Sequence, residues 1–193
     1  IGPEEKKMGI KGSSTTTVIL ENARVPVENV LGEIGKGHKI AFNVLNVGRF
    51  KLGAAVTGAA RIALGVGVAY ANTRKQFGVP LASFQTLTQR AADMYTSLEL
   101  ARSTVYFAAM SLADDPDDEA TIARLRVVTG KAGRHIGQEA IQLHGGIGVT
   151  AEYAVGHLTA RLTAIEHTFG DTRHHLRRLG AAVAGHEAVD VLR

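Results

Sequence analysis

The side chains with the clearest chemical potential lie where long helical patterns end. Arg74 follows one such pattern, and an arginine can hold a phosphate group through charge-assisted hydrogen bonds. Gly145 and Gly146 follow another, and paired glycines let backbone N–H groups approach a ligand without obstruction by side chains. Both features also have a purely structural interpretation, as a cation at a helix C-terminus and as a glycine helix stop. The residues alone leave both interpretations open.

Histidines are frequent in the second half of the chain, but their spacing does not predict a metal site. His174 and His175 are adjacent, so on a helix their side chains diverge instead of facing one ion. His167 could join His174 only if the intervening loop folded back, and no carboxylate pair is placed to help. We therefore expect no metal centre.

The composition is that of an ordinary globular protein. Hydrophobic residues make up 45% of the 193 residues and charged residues 21%, which is enough for one domain with a sizeable core. No Lys/Arg-rich run with interleaved aromatics predicts nucleic-acid binding, and no stretch approaches the ~20 unbroken apolar residues of a membrane span. The net charge of +4 suits a phosphate-bearing ligand or an ordinary solvated surface. The absence of cysteine fits a reducing compartment, and we expect a cytoplasmic protein.

Composition divides the chain into two regions, 1–35 and 36–193. Residues 1–35 are rich in β-branched and turn-forming residues, and Thr15–Leu20 is predicted to be a strand. Because one or two strands cannot bury a face alone, we interpret residues 1–35 as the tail of a larger β-domain with its connector. The start at Ile1, without an initiator methionine or a signal-peptide pattern, leads us to expect a fragment or a processed chain.

Residues 36–193 carry helical periodicity and are predicted to form one helical domain. Ser83 is the predicted N-cap of the second helix, and Asp115 with Pro116 is predicted to begin the third. The predicted fold class is mainly α, an up-down helical bundle preceded by the end of a β-domain. The helices are expected over about 38–75, 83–113, 115–144, 151–164 and 171–184.

Several motifs occur at the junctions of these elements and resemble the acyl-CoA dehydrogenase family. They follow that family's order and spacing over nearly the whole chain. Residues 1–80 are similar to the very-long-chain type, whereas residues 134–180 are similar to atypical subunits of heteromeric bacterial dehydrogenases. The motifs are Met8-Gly-Ile-Lys-Gly-Ser-Ser14, Val25-Pro-Val-Glu-Asn-Val-Leu-Gly32, Arg74-Lys-Gln-Phe-Gly78, Gln142-Leu-His-Gly-Gly-Ile-Gly148 and Glu152-Tyr153.

The resemblance implies a fold and an activity. Members have an N-terminal helical domain, a middle β-domain and a C-terminal helical bundle, usually assembled as a tetramer, and only the last part is expected here. They oxidise the Cα–Cβ bond of an acyl-CoA thioester and pass electrons from FAD to an electron-transfer flavoprotein. Expected partners are therefore an acyl-CoA substrate, electron-transfer flavoprotein and further subunits in a homo- or hetero-oligomer.

The resemblance also assigns roles to residues. Arg49 and Gly170 are expected to face the substrate. The expected FAD-binding residues are Arg74, Gln76, Phe77, Gln85, Gln142, His144, Gly145 and Gly146.

The usual catalytic base of the family is missing. Its position is occupied by Phe169, and a phenyl ring cannot accept a proton, although the backbone N–H there could still bond the thioester carbonyl. Some relatives carry the base on the first long helix instead, but residues 46–49 contain no carboxylate. Three explanations stay open: a substitute base, with Asp171 or Glu166 as candidates; a partner subunit that supplies the base; or a non-catalytic relative.

Overall fold

Five α-helices dominate the computed structural model, which describes residues 1–183. A short hairpin of two antiparallel strands, each of two residues, lies between the first two helices. The mainly-α fold class and the helical bundle predicted from the sequence are confirmed. The elements are α1 Gly37–Thr73, β1 Lys75–Gln76, β2 Val79–Pro80, α2 Gln85–Asp114, α3 Glu119–His144, α4 Ala154–His167 and α5 Thr172–Val183.

Helix α3 is the centre of the bundle, because it contacts α1, α2, α4 and α5. Its glycines let neighbouring helices come close. A β-carbon added at Gly133 would lie 2.9 Å from Val56 Cγ1 of α1, and one added at Gly137 would lie 3.2 Å from Thr159 Cγ2 of α4. The main buried cluster comprises Ala60, Ala63, Leu64, Met94, Leu98, Ala101, Ala132, Ile136, Ala140, Leu143 and Val155.

The helix starts differ from the predicted ones. Helix α2 begins at Gln85, and the predicted N-cap Ser83 lies in a preceding 3-10 turn, Leu81–Ser83. Helix α3 begins at Glu119, not at Pro116, because the Asp118 carboxylate accepts a 2.9 Å hydrogen bond from the backbone N–H of Thr121. The fourth helix begins and ends about three residues later than expected, and the predicted end of the fifth, at 184, lies outside the described residues.

The predicted strand at Thr15–Leu20 is wrong: these residues belong to no strand or sheet. Only two ladder-like hydrogen bonds form there, from Gly2 N to Thr17 O at 2.8 Å and from Glu5 N to Thr15 O at 2.9 Å. A strand needs neighbours along its length, and residues 1–35 offer too few. The division into domains at residue 35 stays a prediction.

By length and composition alone, α1 is long enough and apolar enough to cross a membrane. This finding differs from the sequence-based prediction that no such segment is present. The helix nevertheless packs along one side against α2, α3 and α4. Val56, Ala60 and Ala63 on that side are at most 1% exposed. One side of α1 therefore belongs to the core of the bundle.

Candidate functional site

A cleft of about 440 Å³ opens where the end of α1 meets the end of α3. Six of the eight residues predicted to bind FAD line it: Arg74, Gln76, Gln142, His144, Gly145 and Gly146. Tyr70, Leu81, Leu87, Leu143 and Ile147 complete the lining. The structure thus brings together residues that lie about 70 positions apart in the sequence.

The β1–β2 hairpin determines how Arg74 and Gln76 reach the cleft. Arg74 follows the last residue of α1, where its backbone N–H donates to Tyr70 O at 2.8 Å. Its carbonyl then accepts from Leu81 N at 2.9 Å, which closes the hairpin. Phe77 and Gly78 make the turn with positive φ angles of 53° and 84°.

Two of the predicted FAD-binding residues, Phe77 and Gln85, lie outside this cleft. The left-handed turn directs Phe77 into solvent, where the residue is 92% exposed and its ring forms a T-shaped contact with that of Phe84, with centroids 6.2 Å apart. Gln85 is exposed at the first residue of α2. The assignment of the six lining residues to FAD stays a prediction.

A stack of rings forms one wall of the cleft. The imidazole of His144 lies on the ring of Tyr70 with centroids 4.4 Å apart, and Tyr153 meets both rings edge-on. His144 Nδ1 lies 2.7 Å from the carbonyl oxygen of Ala140, which can only accept, so Nδ1 carries a proton. Sequence reasoning missed Tyr70, although its position four residues before Arg74 places both on one helix face.

The glycines at the end of α3 leave the backbone accessible. Gly145 has φ 67°, a left-handed angle that favours glycine and ends the helix. A β-carbon added at Gly145 or at Gly146 would meet no heavy atom within 4 Å, so close packing inside this chain is not the reason for glycine at these two positions. Open glycine backbone next to an exposed arginine fits a large phosphate-bearing ligand such as FAD.

A second group of predicted residues meets at the turn between α4 and α5. Phe169 has φ 59°, and its ring packs over Gly48 of α1, with Cε2 3.3 Å from where a β-carbon of Gly48 would lie. Arg49 Nε donates to the Phe169 carbonyl oxygen at 3.3 Å, and Arg49 Nη1 donates to Asn46 Oδ1 at 2.6 Å. Arg49, Phe169 and Gly170 therefore lie together, as their predicted roles require.

Glu166, one of the two candidate substitute bases, is held inside the fold. Its side chain is 5% exposed, and Oε1 accepts from Arg134 Nη2 at 2.9 Å and from Thr172 N at 3.0 Å. These contacts tie the end of α4 to the start of α5. A buried carboxylate engaged in this way is not available to a substrate, which argues against Glu166 as the base.

Asp171, the other candidate, is the N-cap of α5. Its Oδ1 accepts a 2.7 Å hydrogen bond from His174 N, and this bond lowers the pKa of Asp171 below its ordinary value. A carboxylate stabilised in its charged form is a weaker base. The side chain is partly exposed beside Gly170, so Asp171 lies in a suitable place for a base. Its lowered pKa makes it a poor one.

A buried polar group lies beneath this turn, and no motif indicated it directly. Arg126, on α3, is 1% exposed, and its Nη2 donates to the carbonyl oxygens of Ile165 at 2.9 Å, Thr168 at 3.0 Å and Gly170 at 3.2 Å. Burial lowers the pKa of Arg126. His175 is fully buried nearby. The sequence feature that could have indicated this group is the position of Arg126 on the apolar face of a predicted helix. Arginine is seldom buried unless it has a specific partner.

Comparison with known proteins identifies the family to which this chain belongs. The family described as acyl-CoA dehydrogenase, C-terminal domain, matches residues 35–184. The chain belongs to the acyl-CoA dehydrogenase family. A probable acyl-CoA dehydrogenase of Bacillus subtilis is 43% identical over 173 residues, which cover 80% of this chain and 29% of that protein.

Two solved structures resemble the fold. The acyl-CoA dehydrogenase of Bacillus anthracis, complexed with FAD, superposes with a TM-score of 0.84 at 35% identity, over 95% of this chain and 35% of that chain. The ChsE4–ChsE5 complex of Mycobacterium tuberculosis superposes with a TM-score of 0.71 at 29% identity, over 80% of this chain and 42% of that chain. The present chain therefore spans less than half the length of these relatives.

Within residues 1–183 of this acyl-CoA dehydrogenase family member, no three or more His, Asp or Glu side chains are grouped so that they could hold a metal ion. The polar residues of the cleft and of the α4–α5 turn are instead suited to hydrogen bonding. Among the described residues, the groups available for chemistry at the turn are its backbone, Arg49 and Asp171.

His175 is expected to make the stability of this family member depend on pH between about 4 and 6.5. Burial, followed by Arg126, His174, Arg178 and Arg49, lowers the pKa of His175 from 6.5 to about 4. As the pH falls through this window the unfolded chain binds a proton that the folded chain does not. The stabilisation is therefore complete above pH 6.5 and is lost towards pH 4, by up to about 3 kcal/mol.

Urea unfolding at several pH values tests this dependence. His175→Leu should flatten the pH dependence in this window, whereas His174→Leu, which removes only a lesser cause of the lowered pKa, should preserve most of it. Equal slopes for both variants would mean that His175 is not the group responsible.

Proposed function

We propose that this chain is the C-terminal part of an FAD-binding acyl-CoA dehydrogenase subunit that acts on an acyl-CoA thioester. The observation that supports it most is the cleft, where Arg74, Gln142 and the Gly145–Gly146 backbone converge. The proposal includes electron transfer to an electron-transfer flavoprotein and a cytoplasmic location.

FAD would supply the hydride acceptor for oxidation of the Cα–Cβ bond. In this chain, Arg74 would pair with the pyrophosphate, and Gln76 and Gln142 would hydrogen-bond the polar edges of the cofactor. The exposed N–H groups at Gly145 and Gly146 would donate to the same ligand. Because the Gly145–Gly146 backbone is open on its outer side, the cofactor is proposed to lie between this chain and another subunit.

The α4–α5 turn would hold the thioester end of the substrate. The backbone N–H of Phe169 would donate to the thioester carbonyl and thereby raise the acidity of the α-proton. Arg49 supports the turn by donating to the Phe169 carbonyl oxygen at 3.3 Å. The turn is thus proposed to activate the substrate without removing the proton.

The proton is proposed to go to a glutamate on a partner subunit. Phe169 cannot accept it, Glu166 is buried in an ion pair with Arg134, and Asp171 caps α5. The similarity to the ChsE4–ChsE5 complex supports a heteromeric assembly. The second candidate is a self-sufficient enzyme that uses Asp171, favoured only by the position of Asp171 next to Gly170 and its partial exposure.

Arg74→Gln is expected to weaken FAD binding by the full-length protein about 10- to 100-fold, because a charged hydrogen bond to phosphate contributes about 1.5–3 kcal/mol. Fluorescence titration of the flavin-free protein with FAD measures the change. Lys75→Gln is the matched control. It also removes one positive charge, but from the neighbouring residue, whose side chain does not line the cleft. Equal losses in both variants would contradict a specific role for Arg74.

A further inference from the structure

Four buried side chains beneath the 168–170 turn form a polar cluster: Arg126, Glu166, Thr172 and His175, each at most 7% exposed. Among the described residues, six of their atoms have no hydrogen-bond partner: Arg126 Nε and Nη1, Glu166 Oε2, Thr172 Oγ1, and both ring nitrogens of His175. Buried polar atoms in native proteins are almost always satisfied. Such a concentration of unpaired atoms in one place points to a ligand bound among them.

The chemistry of these atoms identifies the ligand. Arg126 offers only N–H donors and the carboxylate of Glu166 offers acceptors, whereas the hydroxyl of Thr172 and the ring of His175 can do both. A cation would be repelled by the guanidinium of Arg126, and an anion by the carboxylate of Glu166. Water donates and accepts at once and commonly bridges buried groups of this kind.

We propose that this cluster is an internal water site, and that through it Arg126 acts as a positioning residue for the 168–170 turn. Arg126 Nη2 holds three carbonyl oxygens of the segment 165–170, at 2.9–3.2 Å. Water bound at Nε and Nη1 satisfies the remaining donors and keeps the guanidinium fixed in that orientation.

The turn has a specific need for such support. Phe169 adopts φ 59°, a left-handed angle that a non-glycine residue keeps only when its surroundings enforce it. His175 lies directly beneath, since a β-carbon added at Gly170 would be 3.1 Å from His175 Nε2. Only the further consequence, that a correctly positioned turn can bind the substrate thioester, rests on the proposed function. The water site and the positioning of the turn do not.

Amide hydrogen exchange in the flavin-free full-length protein, followed residue by residue by NMR, tests the positioning. Arg126→Met should accelerate exchange at Phe169, Gly170 and Asp171 by about tenfold or more, because charged hydrogen bonds are lost locally. Arg126→Lys should remain within about threefold of the wild type, since an ammonium still donates to the carbonyl oxygens. Arg124→Met, which alters an exposed arginine of the same helix, should change nothing at the turn.

Unchanged exchange at the turn in folded Arg126→Met would overturn the positioning role, as would equal acceleration throughout α1–α3. If Arg126→Met does not fold, unchanged exchange at the turn in Arg126→Gln, whose shorter and uncharged side chain cannot make the same contacts with the carbonyl oxygens, would overturn it instead. Because no flavin is present, these outcomes are independent of whether the cleft binds FAD.

A high-resolution crystal structure of the wild-type protein tests the ligand. Ordered water within hydrogen-bond distance of Arg126 Nη1 and of Thr172 Oγ1 or His175 is the expected result. Direct pairing of these atoms with protein groups would overturn the water site. An anomalous peak at the cluster after a bromide soak would also overturn it, in favour of an anion.

Discussion

Phe169→Glu is expected to accelerate removal of the substrate α-proton by about 10²- to 10⁴-fold, the usual contribution of a positioned general base. The phenyl ring at this position cannot accept a proton, and the nearby carboxylates of Glu166 and Asp171 are engaged elsewhere. The left-handed backbone of the turn already carries a β-carbon at residue 169, so the substitution introduces no new backbone strain.

Deuterium incorporation at Cα of an acyl-CoA in D₂O, catalysed by the flavin-loaded full-length protein, measures this step without requiring net oxidation. Phe169→Gln is the control, because it matches the size of glutamate without its basicity. Acceleration by both variants would show that the phenyl ring merely blocked access. No acceleration by Phe169→Glu in a protein that still binds acyl-CoA would show that the turn does not face the α-carbon.

Gly130→Ala is expected to lower the free energy of unfolding by about 3 kcal/mol, the upper part of the usual range for overpacking a core. A β-carbon at this position would lie 2.1 Å from Glu166 Oε2 and 2.6 Å from Thr172 Oγ1. Neither group can withdraw easily, because both are buried and Glu166 is held by Arg134 and the start of α5.

Urea unfolding monitored by helical circular dichroism measures the loss. Gly65→Ala is the control, because a β-carbon there meets no heavy atom within 4 Å and alanine favours a helix by up to about 1 kcal/mol. Gly65→Ala should therefore be neutral or stabilising. A similar loss in both variants would mean that the contact with Glu166 does not determine the effect.

The residues of the cleft are largely predictable from the sequence because they belong to motifs that end helices. Arg74 directly follows the last residue of α1, and the Gly145–Gly146 pair directly follows α3. In both places the helical periodicity of the sequence ends. The outward direction of Phe77 could not be predicted, because it follows from a positive φ in a tight hairpin that the phenylalanine side chain does not require.

The start of α3 shows a limit of local sequence patterns. Asp115 and Asp118 are both suitable N-caps by residue type. The choice of Asp118 depends on a second contact, the 3.2 Å hydrogen bond donated by Ser111 Oγ to its carboxylate, which joins α2 to α3. Such a contact is decided by how the helices pack.

The support of the α4–α5 turn could not be predicted for a related reason. Arg126 lies 39 residues before Ile165 and 44 before Gly170, its hydrogen-bond partners. Sequence spacing shows an arginine on a helix, but only the packing of α3 against α4 and α5 shows that it is buried beneath the turn. The strand expected at Thr15–Leu20 failed likewise, because a sheet depends on partners that the local sequence does not contain.

An anaerobic titration of the FAD-loaded full-length protein, expressed alone, with a panel of acyl-CoAs tests the proposed function most directly. We expect the flavin absorption band to shift on binding without bleaching, and bleaching to occur once a glutamate-bearing partner subunit is added. Bleaching by the protein alone would contradict the proposal that this chain lacks its own base, and loss of that bleaching in Asp171→Asn would identify Asp171 as the residue responsible.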